Sequence, residues 1–167
     1  MPRVDSDLVV TLSVLDRLID SEPANRNEAA LSRSQSIRLL KASLRRDLEW
    51  LLNTRRIADD ILDDFPDLAQ SVYGFGLPDF TSFSFANVKD RARLLRALES
   101  SIRNFEPRLE AVKVIPLETA SDGSAKKLLR FQIEGLLKMD PAPERVSFDT
   151  VLQLTTGEYQ VKGDAGA

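Results

Sequence analysis

The chain of 167 residues contains no histidine and no cysteine. Without histidine there is no Ser-His-Asp triad, no general base of ordinary pKa near neutrality and no imidazole metal ligand. Without cysteine there are no disulfides and no thiolate metal sites. Uninterrupted apolar runs are only a few residues long, so no helix is expected to insert directly into a membrane. Residues 8–15 are apolar-rich, but they lack the basic start and small-residue cleavage site of a signal peptide. These absences make the cytoplasm the default location. They leave Glu, Asp, Lys and Tyr as possible catalysts, and no metal and no cofactor is expected. The net charge of −3 argues against nucleic acid as an electrostatic partner.

The composition is 43% apolar and 29% charged, which suits one soluble domain with a real core plus an arm. Arginine outnumbers lysine 16 to 7. Its planar fork pairs with carboxylates and stacks on aromatic rings, so this bias points toward protein interfaces.

Residues 1–31 read as an arm. Ser13 and Asp16 offer a short capping box, and Leu8, Leu12, Leu15 and Ile19 recur at helical spacing. Asp20 to Ala30 reads as a polar linker. The arm has two possible docking places, its own domain or a neighbour. From Ser32 onward, residues 32–167 read as one α+β domain. Ser32 and Gln35 open a second helix. Ile37, Leu40, Leu44, Leu48, Leu51 and Leu52 form its core stripe. A second side carries Leu39, Ser43, Arg46 and Trp50. That side either packs within the domain or presents Arg46 and Trp50 to a partner, since such residues recur at binding hot spots.

Asp59-Asp60 and Asp63-Asp64 lack the glycine and terminal glutamate of a calcium loop, so they read as a solvated acidic face. Tyr73 to Phe80 is a turn-rich loop with two glycines and a proline. No Gly-Lys-Ser/Thr follows, so it does not match a phosphate-binding loop. From Asn87 to Phe105 the pattern is helical, with Leu94, Leu95, Leu98, Ile102 and Phe105 inward. Lys89, Arg93, Arg96 and Arg103 line its other side, either as a solvated face or as a site for an acidic partner.

The last third alternates with a period of two. Segments around Val112–Val114, Leu129–Leu137, Val146–Leu154 and Glu158–Val161 read as strands, with Pro116 to Lys126 as a loop. Helices followed by strands indicate α+β architecture, with the N-terminal helices on one face of a small antiparallel sheet. Alternation marks faces and not sheet order, so the free edge strand is not assigned.

The junction between the two halves is Phe105-Glu106-Pro107-Arg108-Leu109. Pro107 fixes its own φ and biases Glu106 away from helical geometry. The helix is expected to stop near Phe105, leaving Glu106 and Arg108 on a stiff corner. A carboxylate and a guanidinium placed there serve either as a catalyst or as a structural latch.

Five segments in order carry a resemblance to a known family. They are Ser13-Val14-Leu15-Asp16-Arg17-Leu18, Asp47 through Arg56, Gly76-Leu77-Pro78-Asp79, the Phe105-Glu106-Pro107-Arg108-Leu109 corner and Phe148-Asp149-Thr150. Together the chain resembles the phage baseplate wedge proteins once labelled gene-25-like lysozymes. The arm motif points to their type VI secretion branch, the TssE subunits. One departure is Phe75, where relatives often carry tyrosine.

The resemblance implies a cytoplasmic structural part without enzymatic activity, and with little self-association when alone. It implies TssF and TssG as wedge partners and a sheet edge from which the TssB/TssC sheath grows by strand pairing. By the same likeness, Glu106 and Arg108 are the signature pair at the wedge junction. Pro107 between them, Arg46 and Trp50 on the second helix, and Leu15 and Leu18 in the arm complete the expected interaction residues.

The old label suggests the alternative of a peptidoglycan hydrolase with Glu106 as catalytic carboxylate. That chemistry needs two carboxyls about 5–9 Å apart, one with a raised pKa. Arg108 two positions away opposes a raised value, and no second carboxylate stands beside Glu106 in the sequence.

Overall fold

The computed structural model describes residues 12–19, 32–57, 64–80, 87–117 and 128–164. The linker Asp20 to Ala30, the acidic residues Asp59, Asp60 and Asp63, and most of the loop after Pro116 lie outside the described residues.

Two long helices and a four-stranded sheet make the domain. Helix α2 (Arg33–Asn53) starts on the expected capping box, in which Ser32 Oγ accepts from the Gln35 N–H and Gln35 reaches back to the Ser32 N–H. Helix α4 (Val88–Phe105) is capped by Asn87, whose side chain accepts from the Lys89 N–H. Two short helices accompany them: α1 (Val14–Leu18), capped by Ser13, and α3 (Pro66–Ala69). The strands β1 (Leu109–Pro116), β2 (Leu128–Leu137), β3 (Glu144–Gln153) and β4 (Glu158–Asp164) form an antiparallel meander in the order β1-β2-β3-β4.

Helix α2 packs on β4 and α4 packs on β1, so the helical layer spans the sheet from one edge strand to the other. Leu44 and Leu48 of α2, Leu94, Leu98 and Ile102 of α4, and Phe131, Ile133 and Phe148 of the sheet are fully buried between the layers. Burying each such side chain contributes about 1.5–3 kcal/mol. The stripe expected on α2 is the stripe that is buried, with Ile37 at its half-exposed margin.

The second side of α2 divides. Ser43 is buried, whereas Leu39 and Trp50 are 45% and 55% exposed. Among the described residues, an apolar second face therefore stays open, because α1 meets this side around Ser43.

The Gly76-Leu77-Pro78-Asp79 loop is pinned to the end of α2. The Leu77 N–H donates to the Thr54 carbonyl (2.8 Å), and the Arg56 N–H donates to the Leu77 carbonyl (2.9 Å). Gly76 has φ +108°, and a Cβ there would lie 2.5 Å from the Thr54 oxygen. Only glycine suits both conditions. Ser101 of α4 adds a bond to the Gly76 carbonyl (2.7 Å), tying the loop to both helices.

Candidate functional site

Helix α4 ends at Phe105, Glu106 caps it, and β1 begins at Leu109. The corner holds because the Glu106 N–H still bonds the Ile102 carbonyl (2.8 Å) while the Leu109 N–H turns back to the Glu106 carbonyl (3.1 Å). Pro107 is exposed and Glu106 is 4% exposed.

The Glu106 carboxylate accepts three bonds from Arg108: from its backbone N–H (3.2 Å), from Nε (2.7 Å) and from Nη2 (2.5 Å). The two-residue spacing read from the sequence is therefore a side-on, bidentate pair, the stronger geometry for such ions. The corner is also wired to α2. Arg108 Nη2 donates to Asp47 Oδ2 (2.7 Å), and Arg108 Nη1 donates to Ser43 Oγ (3.2 Å).

The network continues into the arm. Asp47 Oδ1 accepts from Arg46 Nε (3.0 Å) and Nη2 (2.8 Å). Arg46 Nη1 reaches Asp16 Oδ1 of α1 (2.8 Å). Ser43 closes the ring: it accepts from Arg108 and donates its one hydrogen to Asp16 Oδ2 (2.6 Å). Three carboxylates and two guanidiniums thus alternate as Asp16, Arg46, Asp47, Arg108 and Glu106, and each charge faces an opposite one.

Three perturbed groups reflect this arrangement, and the Arg46 guanidinium is one, raised first by its hydrogen bonds to Asp47. Burial by itself would raise the Asp16 carboxyl, but hydrogen bonds from Ser13, Ser43 and Arg46 together outweigh it and hold the carboxyl below its ordinary value. The Arg108 guanidinium is pushed above its already high ordinary value, first by its hydrogen bonds to Glu106, against the opposing effect of burial, and further by Asp47. All three effects fix the charged forms.

Of the residues expected at the site, Glu106, Arg108 and Arg46 meet in one network. Pro107 shapes the corner without joining it. Trp50 lies outside the network, yet the Arg46 guanidinium stacks 5.1 Å above its ring. Leu15 and Leu18 on α1 are 46% and 75% exposed. Helix α1 thus meets α2 through Asp16 while turning apolar side chains outward.

Asp47, Ser43 and Asp16 are the members that sequence reasoning did not assign to the site. The available signal was spacing: 43, 46, 47 and 50 share one face of α2. The second carboxylate that the sequence did not supply beside Glu106 is Asp47, but Arg108 binds both acids at once.

The described sheet edges are occupied. On β4, the Asn53 side chain accepts from the Tyr159 N–H (2.9 Å) and donates to the Tyr159 carbonyl (2.9 Å), as a neighbouring strand would. Arg45 donates to the Val161 carbonyl (3.3 Å). On β1, Glu99 accepts from the Val114 N–H (2.9 Å), and the ladder is broken by a bulge at Ala111, which has φ +50°. Pro116 ends that strand and has no N–H to offer.

Residues 38–142 match the sequence model of a family described as baseplate wedge protein gp25. Among solved structures, the chain is similar to a chain of the baseplate complex from the type VI secretion system. The two share 20% identity over 67% of this chain and 93% of that one, with a TM-score of 0.45. No curated protein matches the chain significantly.

Proposed function

The chain belongs to the baseplate wedge protein gp25 family, and from that membership we propose that it is a structural component of a type VI secretion baseplate in the cytoplasm. In this reading it binds the TssF and TssG wedge subunits and offers a sheet edge to the first TssB/TssC sheath strands. The observation that carries the reading is the five-charge network. It joins the arm, α2 and the α4–β1 corner into one rigid piece, and it spends every carboxylate at the corner on holding shape. A general acid needs a carboxyl that comes within hydrogen-bond reach of its substrate. Glu106 is instead buried against a guanidinium through three bonds, which supports a joint over a catalyst.

The wedge-facing surface is the open side beside that joint. Trp50, steadied by Arg46, and the outward Leu15 and Leu18 of α1 place apolar anchors next to a fixed frame, the pattern of an interface core. For strand addition, β4 is the better template of the two edges. The obstacles on β1 are built into its backbone, namely a bulge and a proline. Those on β4 are the side chains of Asn53 and Arg45, which can swing aside for an incoming strand.

The test is reconstitution with TssF–TssG and sheath subunits. Trp50→Glu is expected to abolish wedge binding with little change in melting temperature. Val161→Pro removes an outward-facing N–H on β4, and it is expected to block sheath growth while wedge binding persists. Wedge binding unaffected by Trp50→Glu, or lost together with sheath growth in Val161→Pro, would count against this division of labour.

A further inference from the structure

Helix α4 turns a face to solvent that neither the corner nor the sheet uses. Lys89, Arg93, Arg96 and Arg103 stand along it. At about 100° per residue they fall within one arc of about 80° and span about 21 Å. All four are exposed, and none has an ion-pair partner among the described residues. Arg96 makes only a bond to the Ala92 carbonyl of its own helix (3.2 Å).

The helix keeps its two acids off this arc. Glu99 is committed to the Val114 N–H of β1, and Asp90 lies in the first turn on another side. A chain of net charge −3 thus segregates into a single line four cations that have no ion pair among the described residues.

The chemistry of the arc narrows the partner. Between the cations lies Ser100, with no large apolar or aromatic side chain. A helix that lies in a membrane surface needs an apolar face to insert, and α4 has spent its own on Leu94, Leu98 and Ile102. A single-stranded nucleic acid needs rings for its bases to stack on, and the overall negative charge opposes a polyanion. We propose that this face docks an acidic segment of a partner protein, with carboxylates spaced about one helical turn apart to meet Lys89, Arg93, Arg96 and Arg103. The inference stands apart from the baseplate reading, because it uses neither the network nor the sheet edge.

The probe is a labelled helical peptide with glutamates at i, i+4 and i+7 on an alanine background, beside its glutamine counterpart. Titrated with the full chain at low salt, the glutamate peptide is expected to bind and the glutamine peptide not to. Salt near 0.3 M is expected to weaken binding about tenfold, since exposed charges are screened over a few ångströms there. Reversing Arg93 and Arg96 together to Glu is expected to cost about tenfold or more in affinity. Reversing the exposed sheet cations Lys113 and Arg130 to Glu is expected to cost about twofold or less. Melting temperatures of both double variants report that the fold is kept. The proposal is overturned if the glutamate peptide fails to bind, if the glutamine peptide binds equally or if the sheet reversals weaken binding as much. Tighter binding of single-stranded DNA or anionic vesicles than of the peptide also overturns it.

Discussion

Arg108 is the residue on which the joint turns, because it touches Glu106, Asp47 and Ser43 at once. Arg108→Ala leaves the buried Glu106 carboxylate without a counter-ion, and stranding a buried charge costs about 3–5 kcal/mol. Urea unfolding should show a loss of that size. Arg93→Ala, on the exposed side of α4, should stay within about 0.5 kcal/mol of the parent. Equal losses from the two would mean that the corner pair holds nothing. Lysine is not a substitute, since it lacks the fork that binds two acids in plane.

Asp16 gives the network a pH signature. Its carboxyl is lower in the folded chain than in the unfolded one. Its contribution is therefore present above the ordinary carboxylate value of about 4 and is lost as pH falls through the lower folded value. The gap in melting temperature between the parent chain and Asp16→Asn should be constant from neutrality down to about pH 4 and close below it. A gap that persists unchanged into stronger acid would show that the Asp16 charge carries no stability.

Among the elements, β4 is where helix and sheet meet most directly, through an amide that imitates a strand. Asn53→Ala removes both bonds to Tyr159 and exposes a backbone N–H and carbonyl. Hydrogen exchange at the Tyr159 amide should speed up by about tenfold or more, while the amides paired to β3 stay protected. Unchanged exchange at Tyr159 would show that the guard is not what closes the edge.

This guard also marks the limit of what the sequence discloses. The α2 stripe, its Ser32 cap, the stop at Phe105 and the four strands follow from periods of 3.6 and 2 and from local capping, all of which are written within a few residues. The bond from Asn53 to Tyr159 spans 106 residues, and that from Arg108 to Asp47 spans 61. Such pairs depend on how layers stack, and no local pattern encodes them. Glu106 and Arg108 were legible as a pair because both sides of it sit on one turn. Asp16 was legible only as a cap, and its second role appears when α1 settles against Ser43 and Arg46.

For the whole molecule, the deciding issue is whether the buried acid at the corner turns over a substrate or fixes a shape. A glycosidase of either stereochemical class keeps two carboxyls facing one cleft, one of them able to protonate a leaving oxygen. Here the two nearest acids, Glu106 and Asp47, converge on one guanidinium, which donates to both at once. A sugar ring between them would have to displace Arg108 and break its bonds to both acids. The chain should therefore release no reducing ends from peptidoglycan above the uncatalysed rate, and Glu106→Gln should leave that baseline unmoved. The same substitution should still weaken the corner, because an amide exchanges one of the acceptor oxygens facing Arg108 for a donor. Loss of stability without loss of any turnover is the signature of a joint. Turnover that disappears in Glu106→Gln would instead make the arginine a gate over a working acid, and the network a closed form of an enzyme.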